Sequence, residues 1–253
     1  MSSLALGPVR DVPLARINPV ALLTAMAVVT VVLVTSLDLV TPAVVVAAEL
    51  CLLPAAGLTA PGVLLRRTWP LLVGAGSVGI VNVLLSDDAS PITGLGLALR
   101  VVGLALPGVL LVSATDPVRV ADALTVHWRV STRFAYGALA ALRLVPLLVT
   151  EFEAIRLARR TRGVESGGNP VVAARLLAGA GFTLLVGAVR RGSRLATAMD
   201  ARGFDSGVPR SNARGSVLHR RDAVFVAATV VLCVAAVALS IASGEWNPVF
   251  VGG

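Results

Sequence analysis

Over the first 115 residues, uncharged apolar stretches alternate with short polar breaks, and the lengths of the stretches match a layer about 30 Å thick. The first runs from Ile17 to Leu37, 21 residues without an ionisable side chain. As a helix rising about 1.5 Å per residue it crosses the hydrocarbon core of a bilayer. The pattern therefore predicts a span over about 19–37, closed by Asp38 and the Thr41-Pro42 pair. The run is too long for the apolar centre of a cleaved leader and reads as a retained anchor. A second run, about 42–58, contains one ionisable residue, Glu49, and leads into a turn-rich break from Gly57 to Gly62. Arg66 and Arg67 precede a third run, uncharged from Thr68 to Ser86, and Asp87, Asp88, Ser90 and Pro91 follow it as a polar loop. The fourth run, about 92–114, is interrupted by Arg100, and a last uncharged run extends from Ala223 to Gly244.

Between the fourth and last runs the pattern changes. Residues 133–163 and 171–203 are rich in Ala, Leu and Arg, which are strong helix formers, and the second stretch contains no proline. They predict helices of about 31 and 33 residues, each about 45–50 Å long, with Pro146 kinking the first. Arginines interleaved with Leu, Val and Ala clusters are expected of helices lying partly in the interface on one oily face. The stretches 134–150 and 171–189 are apolar enough to enter the bilayer as well, without changing the parity of crossings. The predicted fold is all-α: about five transmembrane helices plus two long cytoplasmic helices. Residues 1–115 hold four spans, 116–221 a cytoplasmic or interfacial region with the long helices, and 222–253 a last span and tail.

Charge gives the orientation. Residues 151–221 hold thirteen arginines against five carboxylates, whereas the rest of the chain has nine of each, so the whole net charge of +8 lies in one segment. Basic residues collect on the cytoplasmic side of short loops. Placing Arg10 and Arg16 inside puts Arg66 and Arg67 inside, the Asp87-Asp88 loop outside, and Arg119, Arg129 and Arg133 inside again. The expectation is a multi-pass protein of the cell membrane with its N-terminus and long helices cytoplasmic.

Composition narrows the chemistry further. The chain is 56% hydrophobic and 14% charged, with mean hydropathy +0.87, outside the balance of an ordinary soluble domain. All 22 basic residues are arginine. Without lysine there is no Walker A lysine to grip a nucleotide phosphate and no Schiff-base lysine, so any ATP that drives this chain is hydrolysed by another. Cys51 and Cys233 lie in apolar runs and read as small hydrophobes, and His127 and His219 lack neighbours at ligand spacing, so no metal or cofactor is expected. Glu49 and Arg100 are costly within apolar runs. They are candidates for an intramembrane pair, the alternative being that each snorkels to an interface.

Each long helix ends in the same pattern. Ala158-Arg159-Arg160-Thr161-Arg162-Gly163 and Ala198-Met199-Asp200-Ala201-Arg202-Gly203 are both A-x-x-x-R-G, 40 residues apart. Ala and Arg four apart share a helical face, the small residue permitting close approach and the arginine offering a planar fork to a carboxylate. Gly next in line is the usual place for a helix to stop. Positive charge at a helix C-terminus also complements the helix dipole, but that alone does not explain the duplication.

The pair resembles the two Ala-Arg-Gly signatures on the coupling helices of the transmembrane T components of energy-coupling-factor importers, the family of the cobalt, biotin and shared vitamin scaffolds. Arg143-Leu144-Val145-Pro146-Leu147-Leu148 with Glu151, Ile155 and Ala158 is similar to the approach to the family's first signature. Ile17-Asn18-Pro19 and Asp222 add similarity at the first and last spans. Two departures concern the subfamily: Ala21 stands where lysine is frequent, and no proline occurs around Val130-Ser131. The resemblance implies a non-catalytic scaffold. Ala158, Arg162, Gly163, Ala198, Arg202 and Gly203 would dock into two cytoplasmic ABC ATPases, the arginines pairing with ATPase carboxylates. A separate small membrane subunit would bind and release a vitamin or transition-metal ion. The alternative is a membrane-embedded phospholipid head-group transferase, prompted by Asp200-Ala-Arg-Gly-Phe-Asp205, but acids to hold a divalent metal are sparse. A nucleic-acid binder would need a reading module, and only Phe152, Phe182 and Phe204 are aromatic in the basic segment.

Overall fold

The structure, a computed structural model, describes residues 12–58, 61–85, 90–165, 167–204 and 215–246. Arg10, Asp11, Asp87, Asp88, Asp205, Arg210 and Arg214, which contribute to the charge pattern, lie outside the described residues, as do the side chains of Arg66 and Arg67. The described residues are all-α, with helices α1 (Pro19–Thr35), α2 (Val40–Leu52), α3 (Pro61–Leu85), α4 (Pro91–Ala114), α5 (Pro117–His127), α6 (Thr132–Thr161), α7 (Pro170–Ala201) and α8 (Arg220–Ala242). Among the described residues, those of 12–123 with 215–246 form one compact unit, and those of 124–204 belong to a second.

Among the described residues, four helices carry segments long and apolar enough to cross a membrane, namely Thr68–Leu85 of α3, α4, α7 and α8, while α1 and α2 are shorter apolar helices of 17 and 13 residues. The protein is a polytopic membrane protein. α3 starts earlier than the sequence pattern predicts, because Gly57 stops a preceding 3-10 turn in the left-handed region (φ 76°) and Pro61 opens the helix where its missing N–H costs nothing. The backbone of Arg66 and Arg67 therefore lies within α3 rather than ahead of it.

In the first unit, the starts of α1 and α8 are tied together. Asn18 caps α1 by accepting the Val20 N–H (3.0 Å), and its own backbone N–H donates to Asp222 Oδ1 (2.7 Å). Asn18 Nδ2 donates to Ser216 Oγ (2.9 Å) and Val217 O (3.2 Å), while the His219 N–H donates to Asp222 Oδ2 (2.7 Å). Asp222 is 2% exposed and Asn18 6%. One buried carboxylate thus takes a donor from each of two helix starts 204 residues apart, so α1 and α8 run parallel from the same end. At the other end of α1, Asp38 accepts from Ser36 Oγ and from the Thr41 N–H (2.7 Å), capping α2.

α3 and α4 approach through glycine. A Cβ on Gly94 would lie 2.3 Å from Val83 Cγ2 and 2.8 Å from Gly79 O, closer than real side chains come. Gly103 is also close to Leu33, where a Cβ would meet Cδ1 at 2.9 Å.

Asp222→Ala leaves the Asn18 and His219 N–H groups without their acceptor and is expected to cost about 1–3 kcal/mol. A thermal melt of the purified protein in detergent, followed by size exclusion, should show a lowered midpoint, whereas Glu153→Ala, on the exposed surface of α6, should leave it unchanged.

Candidate functional site

Both A-x-x-x-R-G segments end their helices in the same way. After α6, Arg162 takes φ −92°, ψ 8° and Gly163 φ 72°; after α7, Arg202 takes φ −89°, ψ 10° and Gly203 φ 72°. The Gly163 N–H donates to Arg160 O (3.0 Å) and the Val164 N–H to Arg159 O (3.0 Å). At the second end the Gly203 N–H donates to Asp200 O (2.9 Å) and the Phe204 N–H to Met199 O (3.1 Å). This two-bond closure is the Schellman motif, which needs a residue at positive φ and therefore favours glycine. Ala158, Arg162, Ala198 and Arg202 are all exposed. Two blunt ends of matching backbone thus present an arginine one residue beyond the last helical turn. Arg160 Nε also reaches Glu165 Oε1 (2.8 Å) around the first turn.

α6 and α7 pack against each other. They are antiparallel, joined by a connection of residues 162–169 too short for anything else. Arg159 Nη1 donates to Leu176 O (2.5 Å), Glu151 takes two bonds from Arg191 (2.5 and 2.6 Å), and Arg133 Nη2 lies 3.3 Å from Asp200 Oδ1. Residue numbers rise along one helix as they fall along the other. The Arg162 end therefore lies on the side where α7 starts and the Arg202 end on the side where α6 starts, each eleven residues from the Glu151–Arg191 contact, so that about 33 Å of axis separates them. Paired with the Arg191 guanidinium, the Glu151 carboxyl is held below its usual range, chiefly by the hydrogen bonds it accepts.

Glu49 and Arg100 are not brought together. Arg100 Nη2 donates to Val34 O, one of the last carbonyls of α1, which no later N–H of that helix can reach. Glu49 is 5% exposed, and among the described residues neither of its carboxyl oxygens has a hydrogen-bond partner. The physical reason is depth. Glu49 lies ten residues, about 15 Å, along the chain from Leu39, while Arg100 is four residues, about 6 Å, beyond Gly96, which packs beside Leu39. The nearer orphan carbonyl takes the arginine.

A family model described as CbiQ, cobalt transport protein, matches residues 11–212. The chain belongs to this cobalt transport protein family. Among curated relatives, the energy-coupling factor transporter transmembrane protein EcfT of Lacticaseibacillus paracasei is 34% identical over 149 residues, 56% of this chain and 56% of that protein. EcfT of Limosilactobacillus fermentum is 29% identical over 143 residues, 53% and 54% of the two chains. A putative ABC transporter ATP-binding protein of Bifidobacterium longum is 27% identical over 225 residues, 78% of this chain but 28% of that protein. The chain spans about half the length of the EcfT relatives and about a quarter of the ATP-binding one.

Gly163→Ala is expected to fray the first signature by strain alone, since an added Cβ meets nothing within 4 Å but must adopt φ 72°. The cost is about 1 kcal/mol. Hydrogen exchange at the Val164 amide should speed up about fivefold, with the centre of α6 unchanged.

Proposed function

We propose that this chain is the transmembrane scaffold of an energy-coupling-factor ABC importer. It couples ATP hydrolysis by two partner ATPases to the reorientation of a separate, small substrate-binding membrane subunit, and so to uptake of a vitamin or transition-metal ion. The observation that carries this reading is the pair of exposed arginines on matching Schellman-closed ends of two long helices. Each end offers a planar donor fork beside a small residue four positions back, the chemistry a carboxylate-lined groove on another protein would take up. Family membership supports it, as does the similarity to EcfT proteins. The ATP-binding relative supports a working association with ABC ATPases, because a stretch like this chain makes up about a quarter of it.

The chain itself is non-catalytic in this reading. A protein without lysine has no Walker A lysine, so nucleotide chemistry belongs to the partners. The arginine-rich segment and the N-terminus face the cytoplasm, where the ATPases are, by the positive-inside rule. The head-group transferase alternative draws no support from these relatives, and among the described residues no three His, Cys, Asp or Glu side chains converge as metal ligands.

Arg202→Glu replaces a donor fork by an acceptor of the same sign as its intended partners. Recovery of the ATPases with the tagged scaffold should fall at least tenfold and uptake should be lost, with the amount of protein in the membrane unchanged. Arg162→Glu combined with it should be more severe than either alone. Undiminished recovery of both ATPases with the double variant would overturn the proposal.

A further inference from the structure

We infer that Glu151 and Arg191 form a positioning clamp that sets how α6 crosses α7, and with it the placement of the two signature ends. The inference rests on the scaffold reading above. The pair is bidentate, with both guanidinium terminal nitrogens engaging both carboxylate oxygens at 2.5 and 2.6 Å. Two parallel bonds between planar groups fix direction as well as distance, which a single bond does not. The side chains remain 29% and 36% exposed, so the pair contributes little to folding stability. Its distinctive property is geometric.

The seat of the clamp is built into α7. A Cβ on Gly187, one turn before Arg191, would lie 3.2 Å from Arg191 Nη2, so glycine leaves the guanidinium room to lie along its own helix toward α6. The same device recurs two turns away: a Cβ on Gly179 would lie 3.3 Å from Arg159 Nη2, whose Nη1 reaches across to Leu176 O. Glycine inside a helix is destabilising relative to alanine. Here two such glycines each lie beneath an arginine that bridges the helices. Glu151 stands eleven residues before Arg162 and Arg191 eleven before Arg202, so the clamp is equally far, about 16 Å along the helix, from each signature. A link at that place transmits a rotation of one end to the other.

Two measurements on the full chain test this. Spin labels at Val164→Cys and Ala201→Cys, with Cys51 and Cys233 replaced by Ala, report the end-to-end distance in lipid nanodiscs without any ATPase. Glu151→Gln should at least double the width of the distribution. Gly187→Val, which crowds the guanidinium while leaving both charges, should also broaden it. The exchanged pair Glu151→Arg with Arg191→Glu should restore the native width. In the assembled importer, Glu151→Gln should lower substrate taken up per ATP hydrolysed at least fivefold at unchanged ATPase recovery, and the exchanged pair should return it to within twofold of native.

An unbroadened distribution in Glu151→Gln, an exchanged pair as broad as the single variant, or unchanged uptake per ATP would each overturn the clamp. If the distances respond as expected but no ATPase is recovered even with the native chain, the clamp stands and the scaffold reading falls.

Discussion

A helix that ends in or near lipid leaves four N–H groups and four carbonyls without partners, and no water is at hand to take them. Much of the polar chemistry in this molecule answers that constraint. Asp222 gathers the N–H groups that begin α1 and α8 into one buried carboxylate. Asp38 caps α2, and Arg100 takes a carbonyl that α1 leaves exposed at its end. Arg119 takes Ala15 O ahead of α1. The signature ends are the same problem solved with backbone and glycine, by a closure that asks nothing of the Arg162 and Arg202 side chains.

Where helices meet, glycine serves two further purposes. At Gly79 and Gly94 it removes the side chain so that apolar helices approach to backbone distance, and at Gly103 it makes room for the Leu33 and Val46 side chains, which is how helices associate where lipid gives no hydrophobic drive. At Gly179 and Gly187 it makes room for a guanidinium instead. The first use yields contacts that are rigid because they are dispersive and tightly packed. The second yields contacts that are directional but partly solvated, the kind that two helices can remake at a new angle.

The sequence made the helices legible because length and charge are local properties. The predicted 133–163 and 171–203 lie within two residues of α6 and α7, and the glycine stops fall at Gly163 and Gly203. The family resemblance rested on the paired signatures, with Asn18 and Asp222 as separate added signals, and the meeting of these two residues is a tertiary fact no spacing encodes. The Glu49–Arg100 pairing failed for a related reason. Opposite charges in apolar runs attract on paper, but depth decides, and Arg100 found an orphan carbonyl at its own level. The α6–α7 arrangement was within reach of sequence reasoning, since eight residues between long helices compel an antiparallel hairpin. What the spacing hid is that the repeated motif then falls at opposite ends.

That placement changes how work would pass through a scaffold of this kind. Two ends on adjacent tips could be drawn together like the points of tweezers, with the helices as passive arms. Ends on opposite sides of the Glu151–Arg191 contact in an antiparallel pair cannot, because bringing them closer along the axis would compress helices whose backbone bonds resist it. The available motion is a change in the angle at which α6 crosses α7. Motion at either end would therefore pass through the contacts between the helices, among which are arginine bridges to carboxylates and to a carbonyl. Arginine suits that position because its charge does not titrate away and its planar fork can exchange one acceptor for another without leaving a buried charge unpaired. A chain that uses arginine for every one of its basic residues has the side chain such a joint needs at each place where the two helices touch through charge.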